Sequence, residues 1–171
     1  MAPKGEATRP TTDKVKEAIF SSIQMRIPDC VFLDVFSGTG QMAIEALSRG
    51  AESAVLVDQA VQSVKVIAQN LEKTHLSDSA RVLKMPYAEA LRLLGKEEAA
   101  FDVIFMDPPY AMAAKCAQTV SKLIGEYKLL RSGGIFIVDS DADTDIKENV
   151  TNMTCIKSCK YGSTLVTCFV E

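Results

Sequence analysis

The sequence is short of several things, and each shortage removes a class of function. It has a single histidine, His75, no C-x-x-C pair, and five scattered cysteines: Cys30, Cys116, Cys155, Cys159 and Cys168. A zinc site with an ordinary ligand set needs more donors than this, so no metal is expected. One histidine also weakens a Ser-His-Asp arrangement, and His75, within the polar stretch EKTHLSDS, reads as a surface residue. The odd, dispersed cysteines do not resemble a secreted disulfide scaffold and point to a reducing cytoplasm. No apolar run reaches the roughly 20 residues of a membrane span. The opening MAPKGEATRPTTDKV lacks the apolar core of a signal peptide. A formal net charge of −3 excludes a polybasic protein that grips nucleic acid by charge alone.

What remains is ordinary in amount and ordered in pattern. The 171 residues suit one domain, and 47% hydrophobic against 24% charged residues is the balance of a globular chain. We expect a single domain over 1–171, with an N-terminal arm and helix over 8–28 and a core over 29–171. Thr11, Thr12 or Asp13 is a candidate cap for a helix running to about Ile23. Apolar runs then alternate with helical periodicity: VFLDVF, SAVLVD, RVLKM, FDVIFMD and GGIFIVDS read as strands. In the helix after SAVLVD, Val61, Val64, Ile67, Ala68 and Leu71 form the expected buried stripe. This alternation predicts an α/β fold, a mostly parallel sheet covered on both faces. TCIKSCKYGSTLVTCFVE breaks the pattern and predicts an antiparallel hairpin turning at Tyr161-Gly162-Ser163 and closing the sheet edge.

Two motifs carry chemistry. D-V-F-S-G-T-G, Asp34 to Gly40, joins the first strand to a helix, and its glycines let the backbone turn tightly beside a ligand. GTGQMA within it also fits a dinucleotide fingerprint, so spacing alone does not choose the cofactor. Asp34 helps to choose, because a carboxylate there repels a pyrophosphate and attracts the ammonium of a methionine-like ligand. Asp58, ending the second strand, suits both hydroxyls of a ribose, in NAD and in S-adenosyl-L-methionine alike, or else caps the next helix. The second motif is D-P-P-Y, Asp107 to Tyr110. Asp107 and the Pro108 carbonyl offer two acceptors for the two hydrogens of an exocyclic amine, and Tyr110 offers a flat face to its base. The plain alternative is a rigid turn after a buried strand.

RPTTDKVKEAIFSSI, FLDVFSGTGQMAIEALSRGA, VLVDQ, FDVIFMDPPYA and the terminal KYGSTLV together resemble the RsmD-type family of small-subunit (16S) ribosomal RNA (guanine-N2)-methyltransferases. The resemblance implies a Rossmann-like class I S-adenosylmethionine methyltransferase fold with a seven-stranded sheet. It further implies that Asp34, Phe36, Gly38 and Gly40 line S-adenosyl-L-methionine, that Asp58 holds its ribose, and that Asp107, Pro108 and Tyr110 grip the guanine amine. The implied partner is 16S rRNA in the small ribosomal subunit or its assembly intermediate; the oligomeric state is left open, with a monomer favoured, in the cytoplasm that the cysteines point to. Two departures stand out. Only MAPKGEAT precedes R-P-T-T-D, where family members carry a further basic β-hairpin, which weakens the expected hold on RNA. After the third strand Pro86 stands where the family often has Asp or Asn, so adenine contacts fall to backbone near Tyr87 and Ala88, or to Glu89.

Arg9, Lys14, Lys16 and Lys160, with Lys157 beside them, are the candidate RNA-binding rim, whereas the four aspartates of DSDADTD (139–145) read as a solvated acidic loop. Three rivals stay open: an adenine-N6 methyltransferase, which D-P-P-Y also fits; an NAD-dependent oxidoreductase built on GTGQMA; and a non-catalytic RNA-binding module.

Overall fold

A computed structural model describes residues 12–171. Arg9 and Thr11, and most of the R-P-T-T-D signature, therefore lie outside the described residues. Helix α1 (Asp13–Ser22) starts at Thr12, whose hydroxyl accepts from the Val15 backbone N–H at 3.4 Å. Strand β1 (Val31–Asp34), helix α2 (Gln41–Ser48), strand β2 (Ser53–Asp58), helix α3 (Val61–Lys73) and strand β3 (Ala80–Lys84) follow in alternation. Helix α4 (Tyr87–Lys96), strand β4 (Phe101–Met106), helix α5 (Ala113–Tyr127) and strand β5 (Leu130–Asp141) continue it.

Strands β6 (Thr154–Tyr161) and β7 (Thr164–Val170) form the closing hairpin. Its turn is at Gly162-Ser163, and Gly162 takes φ +61° there. The seven strands lie in the order β3-β2-β1-β4-β5-β7-β6, parallel up to β5 and antiparallel beyond it. β7 returns between β5 and β6, so β6 is the edge.

Side-chain alternation along the strands gives the sheet two apolar faces. On one, Leu33, Ile104, Phe136 and Phe169 pack with Leu91 and Leu94 of α4 and Val120 and Ile124 of α5. On the other, Phe32, Val103, Phe105 and Ile137 pack with Ile19 of α1, Ala43 and Ala46 of α2 and Ile67 of α3. No helix among the described residues is long and apolar enough to cross a membrane.

Three sequence expectations need correction. The buried stripe of α3 is Ser63, Val66, Ile67 and Leu71, whereas Val61 and Ala68 are exposed. The helix is rolled because Asn70 reaches inward to donate from Nδ2 to the Thr39 carbonyl at 3.0 Å, tying α3 to the glycine loop. Strand β5 is longer than GGIFIVDS and its pairing with β4 skips from Leu130 to Ile135. Finally, DSDADTD is not one solvated loop. Asp139 and Asp141 belong to β5, which is paired on both sides, and Asp139 is only 3% exposed. Only Asp143 and Asp145 stand out in solvent.

Candidate active site

Four neighbouring parallel strands deliver a carboxylate at or just beyond their carboxyl ends: Asp34 on β1, Asp58 on β2, Asp107 after β4 and Asp139 on β5. Ligands of open parallel sheets gather at this edge, where helices start and backbone N–H groups point outward.

The glycine loop is held by backbone bonds on both sides. Val35 N–H donates to the Phe105 carbonyl and Ser37 N–H to the Val57 carbonyl, each at 2.9 Å. Gly40 N–H closes the turn onto the Ser37 carbonyl at 2.7 Å. Gly38 and Gly40 take φ of +56° and +79°, the left-handed region that L residues avoid. Gly40 is doubly constrained, since a Cβ there would lie 3.1 Å from Leu56 Cδ2 and 3.3 Å from Ile67 Cγ1. Gly38 faces open space instead.

Asp34 ends β1 at 1% exposure, and neither of its carboxylate oxygens has a hydrogen-bond partner among the described residues. Burial, with the charges of Asp107 and Asp58 adding to it, pushes its carboxyl up to about 7, although the nearby Ser37 hydroxyl and Ala43 N–H, too far or too poorly aimed for a close hydrogen bond, pull the other way. A buried carboxylate left this way costs stability unless a ligand partners it. Asp58 differs: its Oδ2 accepts from Gly38 N–H and its Oδ1 from Ala60 N–H, both at 2.9 Å. It therefore clips the glycine loop to the start of α3, and each oxygen keeps a further lone pair to offer. The capping alternative is thus part of its role.

Phe36 and Tyr87 come together, their ring centroids 4.9 Å apart and tilted by 41°. Burial and a hydrogen bond with Cys116 raise the Tyr87 phenol. Pro86 caps α4, extended at φ −57° and ψ 142°. In D-P-P-Y, Pro108 is buried, Asp107 and Tyr110 are half-buried, and Pro109 is exposed. A single 3-10 turn, Tyr110–Met112, leads into α5. The Tyr110 hydroxyl lies 3.5 Å from Thr164 Oγ1, so the terminal hairpin reaches the motif.

Beyond Thr164 a cleft of about 380 Å³ runs between the start of α1 and the hairpin tip, lined by Thr12, Lys14, Lys160, Tyr161, Ser163 and Thr164 among others. It brings two of the rim lysines together. Lys16 is elsewhere engaged: its side chain is 17% exposed and pairs with Glu45 at 3.3 Å and Asp13 at 3.8 Å. It leaves the candidate rim, because a helix lysine facing a neighbouring helix finds its carboxylate before it finds solvent. Lys160 lies 4.0 Å from Asp143, an exposed and therefore weak pair.

Asp139 is the site residue that sequence reasoning missed. Met106 and Val138 are register partners, so the chain just beyond β4 brings Asp107 near enough for its charge to act on Asp139 and on Asp34, which lies opposite Phe105. Asp139 Oδ1 has no partner among the described residues. Burial, then the charge of Asp107, pushes its carboxyl up to about 8. A readable signal existed: GGIFIVD ends in Asp as VFLD, SAVLVD and FDVIFMD do.

Comparison with known proteins agrees with this fold. The family model described as conserved hypothetical protein 95 matches residues 1–170. The putative rRNA methyltransferase YlbH of Bacillus subtilis is 36% identical over 163 residues, covering 95% of this chain and 88% of that protein. Ribosomal RNA small subunit methyltransferase D of Escherichia coli K12 is 32% identical over 108 residues, 63% of this chain but 52% of that protein. Among solved structures, a conserved hypothetical protein of Streptococcus pyogenes superposes with a TM-score of 0.82 at 30% identity, covering 92% of this chain and 95% of that one. The putative methyltransferase yhhF of Escherichia coli gives 0.80 at 25% identity, with 94% and 86% covered.

Proposed function

The chain belongs to the RsmD-type family, described as conserved hypothetical protein 95, and from that premise we propose that it methylates ribosomal RNA on the exocyclic N2 amine of a guanine in 16S rRNA, using S-adenosyl-L-methionine. The substrate in this reading is the small ribosomal subunit or an assembly intermediate of it. The observation that carries the reading is Asp34: a carboxylate 1% exposed at the mouth of a glycine loop, with no close hydrogen bond to either oxygen among the described residues and only weaker help from the Ser37 hydroxyl and the Ala43 N–H. That environment fits an ammonium and disfavours a pyrophosphate, which argues against the NAD alternative.

The donor group, when bound, supplies a methyl on a cationic sulfur open to in-line displacement. The chain's own residues do the rest. Asp34 receives the ammonium, Asp58 accepts from ribose hydroxyls with its free lone pairs, and Gly38 and Gly40 let backbone lie close to the ligand. Phe36 and Tyr87 form an apolar wall beside it. Asp107 and the Pro108 carbonyl accept the two amine hydrogens, which fixes the nitrogen on line and localises its lone pair. The Asp107 carboxylate also faces the positive charge that develops on the nitrogen. Tyr110 stacks on the base, and its hydroxyl contact with Thr164 keeps the ring in place. Lys14 and Lys160 meet backbone phosphates across the hairpin cleft.

The test is transfer of labelled methyl from S-adenosyl-L-methionine to unmethylated small subunits, naked ribosomal RNA and DNA in parallel. Label on N2 of one guanine is expected, with subunits the best acceptor. Asp107→Ala should cut transfer at least about a hundredfold and leave cofactor binding intact, as removal of a transition-state interaction does. Label on adenine N6 in DNA, or an Asp107→Ala variant with wild-type turnover, overturns the assignment.

A further inference from the structure

Lys14 and Lys160 account for the charge of the hairpin cleft but leave its hydroxyls unexplained. The cleft lies at the carboxyl edge of the sheet, because Thr164 of β7 pairs with Asp141, the last residue of β5, and Ala142 N–H donates to the Ser163 carbonyl at 2.9 Å. Its volume of about 380 Å³ falls in the lower part of the roughly 300–1,000 Å³ range of small-ligand sites. Thr12, Tyr161, Ser163 and Thr164, all bearing hydroxyls, line it together with the two lysines, and no acid does. In a chain of net charge −3, with aspartates on the neighbouring strand ends, that lining is a separate chemical environment.

Each lining group narrows the ligand. The lysines arrive from distant segments, Lys14 from the first turn of α1 and Lys160 from the end of β6, and suit the oxygens of a phosphate. Lys160 stands 4.0 Å from Asp143, a contact between two exposed groups that a phosphate can displace. Thr12 Oγ1 accepts from Val15 N–H at 3.4 Å, which leaves its O–H to donate. Thr164 Oγ1, 3.5 Å from the Tyr110 hydroxyl, keeps further capacity in the same way. Groups that both donate and accept match a sugar hydroxyl, which does both, whereas a phosphodiester only accepts. A base is poorly served here. Tyr161, the one aromatic residue of the lining, is half-buried against the core and is not a free stacking platform.

We propose that the cleft is a ribose-phosphate subsite for the nucleotide next to the methylated one, and that its hydroxyls read the 2′-hydroxyl, so that the protein takes RNA and rejects DNA. The proposal rests on the nucleic-acid substrate of the functional reading above and deepens it. Thr164 both lines the cleft and meets Tyr110, so a strand whose base lies on Tyr110 runs its backbone into the cleft. Phosphate contacts position the strand without distinguishing its sugar. The 2′-hydroxyl, donor and acceptor at once, is the group that does distinguish it. D-P-P-Y holds an amine whatever sugar lies beneath the base, so selection against DNA has to come from another place, and the cleft supplies it one nucleotide away.

The experiment is amide NMR of the full chain, titrated at low salt with single strands of about a dozen nucleotides, one sequence made as RNA and as DNA. The RNA should shift the Gly162 and Thr164 amides and bind at least about threefold tighter than the DNA, the factor that one hydrogen bond supplies. Lys14→Ala combined with Lys160→Ala should weaken both strands alike, since both carry phosphates. Ser163→Ala combined with Thr164→Val should bring RNA down to the affinity of DNA and leave DNA unchanged. Ser163→Ala alone serves if the pair disturbs the hairpin, and should narrow the same gap. No shift at the hairpin tip, equal affinity for the two strands, or hydroxyl variants that weaken both alike or neither, overturn the subsite. Methyl transfer to guanine N2 in small subunits without a sugar preference at the cleft removes this inference alone. A sugar preference there, with no methyl transfer to any RNA, removes the proposed function and leaves the subsite standing.

Discussion

Asp34 and Asp58 end adjacent parallel strands of the same sheet, and the protein treats them in opposite ways. Asp58 is tied into the fold by two backbone N–H donors and bridges the glycine loop to α3. Asp34 is sealed at 1% exposure with no close hydrogen bond to its carboxylate oxygens among the described residues, and the Ser37 hydroxyl and Ala43 N–H only partly offset its burial. Burying a carboxylate without partners costs several kcal/mol, and the usual relief is protonation, which the upward shift to about 7 expresses. The contrast separates a carboxylate that holds the scaffold together from one that the scaffold holds in readiness for a cation. Asp139 belongs with Asp34, being equally strained by burial. The β2 carboxylate thus serves the scaffold as well as the proposed ribose contact, whereas Asp34 of β1 has no such structural use.

Neutralising each residue in turn should break the comparison if it is wrong. Asp34→Asn should weaken S-adenosyl-L-methionine binding by tenfold or more, since a charge-assisted hydrogen bond contributes about 1.5–3 kcal/mol, while raising the thermal stability of the free protein. Asp58→Asn should weaken the cofactor too but lower stability, by roughly 1–3 kcal/mol for its charged hydrogen bonds. The pH sign follows from linkage. Folded Asp34 keeps its proton up to about 7, whereas the unfolded chain releases it near 3.9. The folded state therefore binds more protons in between, and this group's contribution to stability falls as pH rises through that window. Calorimetry of Asp34→Asn against wild type should show a Tm advantage that grows from about pH 4 to pH 7. A constant difference, or a destabilised Asp34→Asn, would remove the distinction drawn here.

How far the site was legible in the sequence follows the same divide. The alternation of apolar runs and helical stretches predicted the parallel sheet and the closing hairpin, because a strand buried on both faces must be apolar throughout. Glycines and prolines marked the two motifs, because backbone conformation demands those residues wherever the chain turns. Asp139 was hidden by its company. Grouped with Asp141, Asp143 and Asp145 it reads as surface charge, and only pairing with β4 and β7 pulls it inside. The roll of α3 was hidden likewise, since Asn70 turns inward only because the Thr39 carbonyl waits there. Lys16 looked like a rim cation until Glu45 of α2 was brought against it. Local chemistry is written locally; partners supplied by distant strands are not.

The two glycines of the loop offer a sharper version of the comparison at smaller amplitude. Gly40→Ala forces a left-handed alanine and also a Cβ at 3.1 Å from Leu56 and 3.3 Å from Ile67, so it should cost roughly 2–4 kcal/mol, combining backbone strain with overpacking. Gly38→Ala meets no atom within 4 Å and should cost about 1 kcal/mol from its φ alone. Its Cβ would instead enter open space, on the side where the proposed cofactor lies. Cofactor affinity should therefore fall more than stability in Gly38→Ala, and stability more than affinity in Gly40→Ala. Denaturant melts and cofactor titration on the two variants measure both.

The smallest effects belong to the lysines, and they test whether the hairpin cleft is on the binding side of the divide. Lys14 and Lys160 line that cleft, within reach of the motif that Tyr110 joins to Thr164. Removing one phosphate-binding lysine should weaken RNA binding modestly, to a similar degree whatever the sequence. It should also flatten the slope of log affinity against log salt by somewhat under one unit. Lys14→Ala and Lys160→Ala should therefore show a shallower salt dependence with kcat unchanged at saturating substrate. Lys16→Ala should leave the slope alone and lower stability by under about 1 kcal/mol, the worth of a partly exposed ion pair. If Lys16→Ala changes the slope as much as the other two, the Glu45 pairing does not hold in solution and the rim extends along α1. If none of the three changes it, RNA approaches the edge from the side of β2, and the hairpin serves only to seat Tyr110.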